Sequence, residues 1–256
     1  MTTFILVALT VAAVVLVVLQ PPVDPNALEE GEVPPPTWAP PVEAPVAAAK
    51  HGSPISSYVD PDWADATSAA TGIPIRAIKA YAGAAIIKAN QAPSCQLSWN
   101  TLAAIGEVES DHGQHDGSSV GEDGTVWPAI YGVALDGIET AKIPDSDGGE
   151  LDGDAKYDRA VGPMQLIPQT WRNWHVDGNA DGREDPQNID DAVLATANYL
   201  CRAGGKLGEE PGWVTAVKAY NNSDVYLTLV ATTALGYSDA VAGLVPEETV
   251  EAAPAG

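Results

Sequence analysis

The chain has 256 residues, with 12 Lys and Arg against 35 Asp and Glu, a formal net charge of -23. That length holds one good-sized domain with an appendage. The acidity excludes a phosphate-backbone partner, which needs clustered cations, and disfavours an anionic membrane surface for the same reason. With 45% apolar residues the chain is still a foldable protein, so the charge coats a globular surface.

In chain order, Phe4 to Leu19 is an apolar run broken only by Thr10. With Met1 to Thr3 it reaches the roughly 20 residues that span hydrocarbon. Residues 1–20 are therefore read as a transmembrane anchor or signal segment. The first lysine is Lys50 and the run exits into Gln20-Pro21-Pro22, so a basic leader region is missing and the uncleaved anchor is favoured. Residues 21–57, rich in Pro and Ala, read as an extended linker. Residues 58–244 form the folded body, and 245–256 a disordered tail.

Within the body the periodicity is helical. Pro74 suits a first helical turn, and Ile78, Tyr81, Ala82 and Ala85 follow on one face. Ser98 is an N-cap candidate for a helix carrying Leu102, Ile105 and Val108. A third helix runs from Ile189 through Val193, Ala197 and Leu200 to Gly204-Gly205, and a fourth carries Trp213, Val217 and Tyr220. Alternating runs are lacking, so the class is mainly α with a small β or loop element. Cys95 and Cys201 are the only cysteines, and export favours a disulfide between them over two separately buried thiols.

Residues 102–113 read LAAIGEVESDHG. At about 100° per residue Glu109 shares the side of Leu102 and Ile105, whereas Glu107 points the opposite way. A carboxyl on an apolar face loses solvation and gains pKa, as a general acid requires, although a Glu fanning out from a frayed helix end has the same sequence. Residues 162–171 read GPMQLIPQTW and place the Gln165 amide among apolar side chains. Tyr220-Asn221-Asn222-Ser223 closes the fourth helix.

Taken in this order, VES, GPMQLIPQTW and AYNNS resemble the lytic murein transglycosylases of the membrane-bound B type, especially their actinobacterial relatives. The resemblance spans about Ile73 to Val241. It implies a lysozyme-like helical domain whose groove holds alternating N-acetylglucosamine and N-acetylmuramic acid (GlcNAc and MurNAc). Glu109 would be the single catalytic acid and base, leaving a 1,6-anhydro end, with Ser110, Met164, Gln165, Tyr220 and Asn221 as substrate-binding residues. The expected substrate is peptidoglycan, with no nucleic acid partner, other cell-wall enzymes as candidate partners, and an extracytoplasmic location, anchored or secreted. The alternatives are a hydrolase of the goose-lysozyme type and a non-catalytic peptidoglycan-binding protein. The chain departs from the family in reading Asp158-Arg159-Ala160-Val161 where a serine is common, and in having Asn222 where a histidine is common.

No cofactor is required by this reading. Asp177, Asn179, Asp181, Arg183 and Asp185 match the first two-thirds of a calcium loop, but its twelfth position is Asn188 where a bidentate Glu is expected. Asp190 or Asp191 would have to close the shell, or the loop simply caps the next helix. Asp145, Asp147, Asp152 and Asp154 read as a solvated turn. His112 and His115 are spaced for one face of a helical turn yet lack a third zinc ligand, which favours rim or surface positions. Trp127, Tyr131, Trp171 and Trp174 are candidates for sugar stacking, Trp171 more for packing.

Overall fold

The computed structural model describes residues 35–138 and 140–244. The expected anchor at 1–20 and tail at 245–256 lie outside the described residues. Among those described, no helix is long and apolar enough to cross a membrane.

Seven α-helices are present among the described residues: α1 (Pro61–Thr71), α2 (Ile75–Gln91), α3 (Trp99–Ser110), α4 (Pro168–Trp174), α5 (Ile189–Gly204), α6 (Glu210–Tyr220) and α7 (Asp224–Val241). A hairpin of β1 (Ser119–Val120) and β2 (Val126–Trp127) follows α3, pairing Ser119 with Trp127 and Val120 with Val126. The mainly α expectation holds.

The core forms around α2, where Ile78, Tyr81 and a run of alanines are fully buried. Alanines cost little side-chain entropy and let helices approach closely, so α3 and α5 both pack on α2. In turn α7 lies on α3, and α6 on α5. Trp213 of α6 donates its indole N–H to Thr101 Oγ1 of α3 at 3.0 Å, which satisfies a buried donor at the centre. Cys95, just beyond α2, forms a disulfide with Cys201 on α5, Cα to Cα 5.4 Å. The bridge, rather than two separate thiols, is what forms.

The stretch 35–57 departs from the spacer expectation. Ala39 and Ile55 are buried in the core, Asn100 donates to the Pro40 carbonyl at 3.1 Å, and Ala47 N–H donates to the Tyr58 carbonyl at 2.8 Å. The reason is sequence-encoded at Gly83 on α2. A Cβ there would lie 2.3 Å from the Ile55 carbonyl oxygen, so glycine admits this backbone directly onto the helix. Proline content predicts extended chain correctly; it does not say whether that chain is free or docked.

Three helices escape the periodicity reading, among them the short α4, which Pro168 opens. α1 is announced by Asp60-Pro61, since Asp60 Oδ1 accepts from Trp63 N–H at 2.9 Å and proline fits the first turn. α7 is rich in Thr and Val, which blurs its pattern, yet Leu227, Val230, Ala231 and Ala234 bury one stripe.

Candidate active site

The site is built on the end of α3. Gly106 lies over the Tyr81 hydroxyl, where a Cβ would come within 2.0 Å of the oxygen, so the ring of Tyr81 slides under the helix. Beyond Ser110 three consecutive residues adopt positive φ: Asp111 (51°), His112 (57°) and Gly113 (82°). Left-handed backbone is strained for Asp and His, and must be held by its surroundings. His112 supplies the hold. Its buried ring lies between the Tyr81 and Tyr237 hydroxyls, each 3.0 Å away. Burial lowers its pKa to about 4, so it is neutral at physiological pH. Tyr237 also donates to Glu107, whose side chain is 45% exposed.

Glu109 faces the other way, as helix geometry required. Its Oε1 accepts a hydrogen bond from the Tyr226 hydroxyl at 2.5 Å. Ser223 presents this tyrosine by capping α7, accepting from the Tyr226 N–H at 3.4 Å. Burial raises the Glu109 pKa to about 7, and the Tyr226 bond opposes that rise without cancelling it. Loss of hydration causes the shift, not repulsion from a neighbouring carboxylate. Tyr220 also lies within the field of Glu109: its hydroxyl is pushed well above the ordinary range by burial and by that carboxylate.

The facing wall is made of loop. Ser110 donates to the Pro163 carbonyl at 2.6 Å and accepts from Gly113 N–H at 2.8 Å, fastening the 162–166 turn to the end of α3. Gly162, at φ 76°, is obligatory, because a Cβ would lie 1.8 Å from the Pro186 carbonyl oxygen. Gln165 takes φ 46° and donates from Nε2 to the Gly162 carbonyl at 2.9 Å. Its Oε1 sits over Gly132, where a Cβ would approach to 2.9 Å. A cavity of about 500 Å³ opens here between Gln165, Tyr199, Tyr220, Asn221, Leu135 and Ile143.

Among the residues expected from sequence, Gln165, Tyr220 and Asn221 therefore line one cavity, and Glu109 is linked to it through Tyr220, whose hydroxyl feels the Glu109 charge. Two expectations are corrected. The Met164 side chain is fully buried in the core, and only its backbone carbonyl takes part, accepting from Tyr220. Ser110 is buried with its hydroxyl committed to backbone partners, so it shapes the site and does not face a ligand. Tyr226 was missed, and it is the residue that touches Glu109. Its signal was the inward position on α7, a helix the pattern hid.

The calcium-loop candidate folds as a loop around its own oxygens. Asp181 N–H donates to Asp177 Oδ1 at 3.2 Å and to Asn179 Oδ1 at 3.0 Å, while Gly182 and Arg183 N–H go to Asp177 and Asp181. Its closing ligands are taken. Asn188 caps α5, Asp190 pairs bidentately with Arg76 at 2.8 Å, and Asp191 accepts from Gly178, Asn179 and Asp185 N–H. The donor set fits calcium only in its first half. Asp145, Asp147, Asp152 and Asp154 likewise staple backbone N–H groups of the 145–159 turn. His112 is core and His115 exposed, so they share no face. Trp171 is buried, as packing expects, whereas Trp127 and Tyr131 stand out in solvent.

Residues 152–219 match the family model described as a transglycosylase SLT domain. No curated protein matches the chain. Among solved structures, SltB3 from Pseudomonas aeruginosa, crystallised in complex with NAG-anhNAM-pentapeptide, is similar at 17% identity and a TM-score of 0.38, over 70% of this chain and 67% of that one. The family match takes in Gln165, α4, α5 and nearly all of α6; Glu109, Tyr220 and Tyr226 lie outside it. Residues 152–219 are thus similar to a transglycosylase SLT domain.

Proposed function

We propose that this chain cleaves the MurNAc–GlcNAc β-1,4 bond of peptidoglycan by lytic transglycosylation, with Glu109 as both acid and base. The observation that carries the reading is one carboxyl, raised to about pKa 7 by burial and held by Tyr226, beside a cleft lined by Gln165, Tyr220 and Asn221. Near neutral pH such a group exchanges its proton readily in both directions.

In the first step Glu109 gives its proton to the glycosidic oxygen and the bond to the anomeric carbon breaks. The positive charge that develops there is steadied by the substrate's own N-acetyl carbonyl. Glu109, now a carboxylate supported by the Tyr226 O–H, takes the proton of the MurNAc 6-hydroxyl. That oxygen closes on the anomeric carbon, so the 1,6-anhydro sugar forms without consuming water, and Glu109 ends protonated. The paired-carboxylate hydrolysis scheme asks for a second acid about 5–10 Å away. Glu107, the nearest in sequence, instead points outward and is held by Tyr237.

Treatment of released products with borohydride tests this reading. Anhydro ends resist reduction, whereas the reducing ends left by a hydrolase do not. The lysozyme-like groove, the extracytoplasmic placement and a membrane tether through Phe4 to Leu19 belong to the same proposal. Cell fractionation tests the tether: recovery of full-length chain in the membrane pellet supports it, and recovery only as a shortened soluble form opposes it.

A further inference from the structure

Seven large apolar side chains are exposed among the described residues, and they are not scattered. Trp127 (74%), Tyr131 (48%), Val133 and Ile138 fall within one short stretch, 127–138, and Val225 and Leu229 flank Tyr226 on α7. Four of the seven therefore fall in one short stretch, which reaches the cavity wall at Leu135. A soluble surface normally disperses such groups, and their gathering marks a contact face.

The stretch carrying Trp127 and Tyr131 is firmly held. Val126 N–H donates to the Gln187 carbonyl at 2.9 Å, and the Gln187 side chain both donates to the Ile130 carbonyl at 2.8 Å and accepts from its N–H at 3.0 Å. Gly162 N–H reaches the Ile130 carbonyl at 3.0 Å, and Gly132 N–H the Ala160 carbonyl at 2.8 Å. Alternation then buries Val126 and Ile130 and turns Trp127 and Tyr131 outward. Gly132, the neighbour of Tyr131, is the residue that lies against the Gln165 amide. The aromatic stretch is thus continuous with the wall of the cleft.

We propose that Trp127 and Tyr131 form a ledge on which sugar rings of the glycan strand stack beyond the pair cleaved at Glu109. The inference rests on the glycan reading of that cleft. A β-linked pyranose with equatorial substituents presents axial C–H bonds on its faces, and these pack on an aromatic ring. Residues 127–138 contain no Lys or Arg, so the ledge offers an anionic partner no ion pair and suits a neutral ring face. Rigid aromatics also lose little entropy when they engage a ligand.

The test is co-sedimentation of full-length Glu109→Gln protein with insoluble glycan strands stripped of stem peptides by an amidase. Trp127→Ala and Tyr131→Ala, added singly, are expected to weaken binding about tenfold each, the scale of a lost aromatic anchor. Trp127→Phe should keep binding within about threefold, and Val46→Ala, exposed on the 35–57 segment, should leave it unchanged. Unchanged binding in both alanine variants overturns the ledge. So does a loss seen only on strands that keep their peptides, which would make the occupant a peptide. Product release by protein with Glu109 intact is read separately: binding through the ledge without any product would sink the lytic reading and leave the ledge standing.

Discussion

The two walls of the cleft are made by different means. One is the end of α3 with α7, where helices bury Glu109 against Tyr226 and set its chemistry through desolvation. The other runs from Trp127 to Leu166 with little regular structure, held by backbone bonds, by Gln187 and by glycines that permit contacts no side chain would. In the proposed reaction the first wall supplies a proton and the second a shape. Where function needs a shifted pKa the chain uses packed helices, and where it needs a contour it uses loop.

That division is open to attack, starting from the largest effects. Reducing the Cys95–Cys201 bridge, or replacing Cys201 by Ala, should cost about 4 kcal/mol, because it frees a loop of 106 residues in the unfolded chain. The loss, read by denaturant unfolding, should come as one transition that melts both walls; survival of the loop wall alone would break the account.

Gly162→Ala attacks the loop wall. The clash with Pro186 and the positive φ should cost about 3 kcal/mol and abolish turnover. Far-UV circular dichroism should keep its helical signal, since α2, α3 and α5 do not touch the clash directly.

Tyr226→Phe attacks the helical wall through pH. In the proposed mechanism the acid form of Glu109 acts first, so kcat/KM should fall as pH rises through about 7. The Tyr226 bond lowers that pKa, so its removal should move the alkaline limb upward while reducing kcat. Stability follows with the same sign. The folded state holds the Glu109 proton more tightly than the ordinary 4.5, so this residue's contribution is full below about 4.5 and is lost as pH rises through about 7. Glu109→Gln protein should then melt higher than wild type at pH 8, with the difference shrinking toward pH 4.5.

The smallest effect concerns calcium at 177–185, which we retain as a proposal of about millimolar strength given its unclosed shell. Calcium at 10-fold excess over that value should raise Tm by only a few degrees. An unchanged Tm removes the ion from the account.

Sequence disclosed the helical wall better than the loop wall. Helical period picked Glu109 over Glu107 and placed α2, α3, α5 and α6, because a buried stripe on a helix writes itself into the spacing of apolar residues. It missed Tyr226, because α7 mixes Thr and Val into its stripe, and it missed that 35–57 docks, because Gly83 signals close approach without naming the partner. Met164 and Ser110 were misplaced for a related reason. Both sit in motifs that line the cleft through backbone, and a motif does not reveal which of its atoms faces the ligand.

The central claim is that one half-buried carboxyl does the work and its neighbour two residues back does none. Mass spectrometry of products released from peptidoglycan by wild type, Glu109→Gln and Glu107→Gln tests it most directly. Wild type should give anhydro-ended products, Glu109→Gln should lose at least about 10³-fold, and Glu107→Gln less than about tenfold. Full activity in Glu109→Gln, or equal losses in both variants, would contradict it.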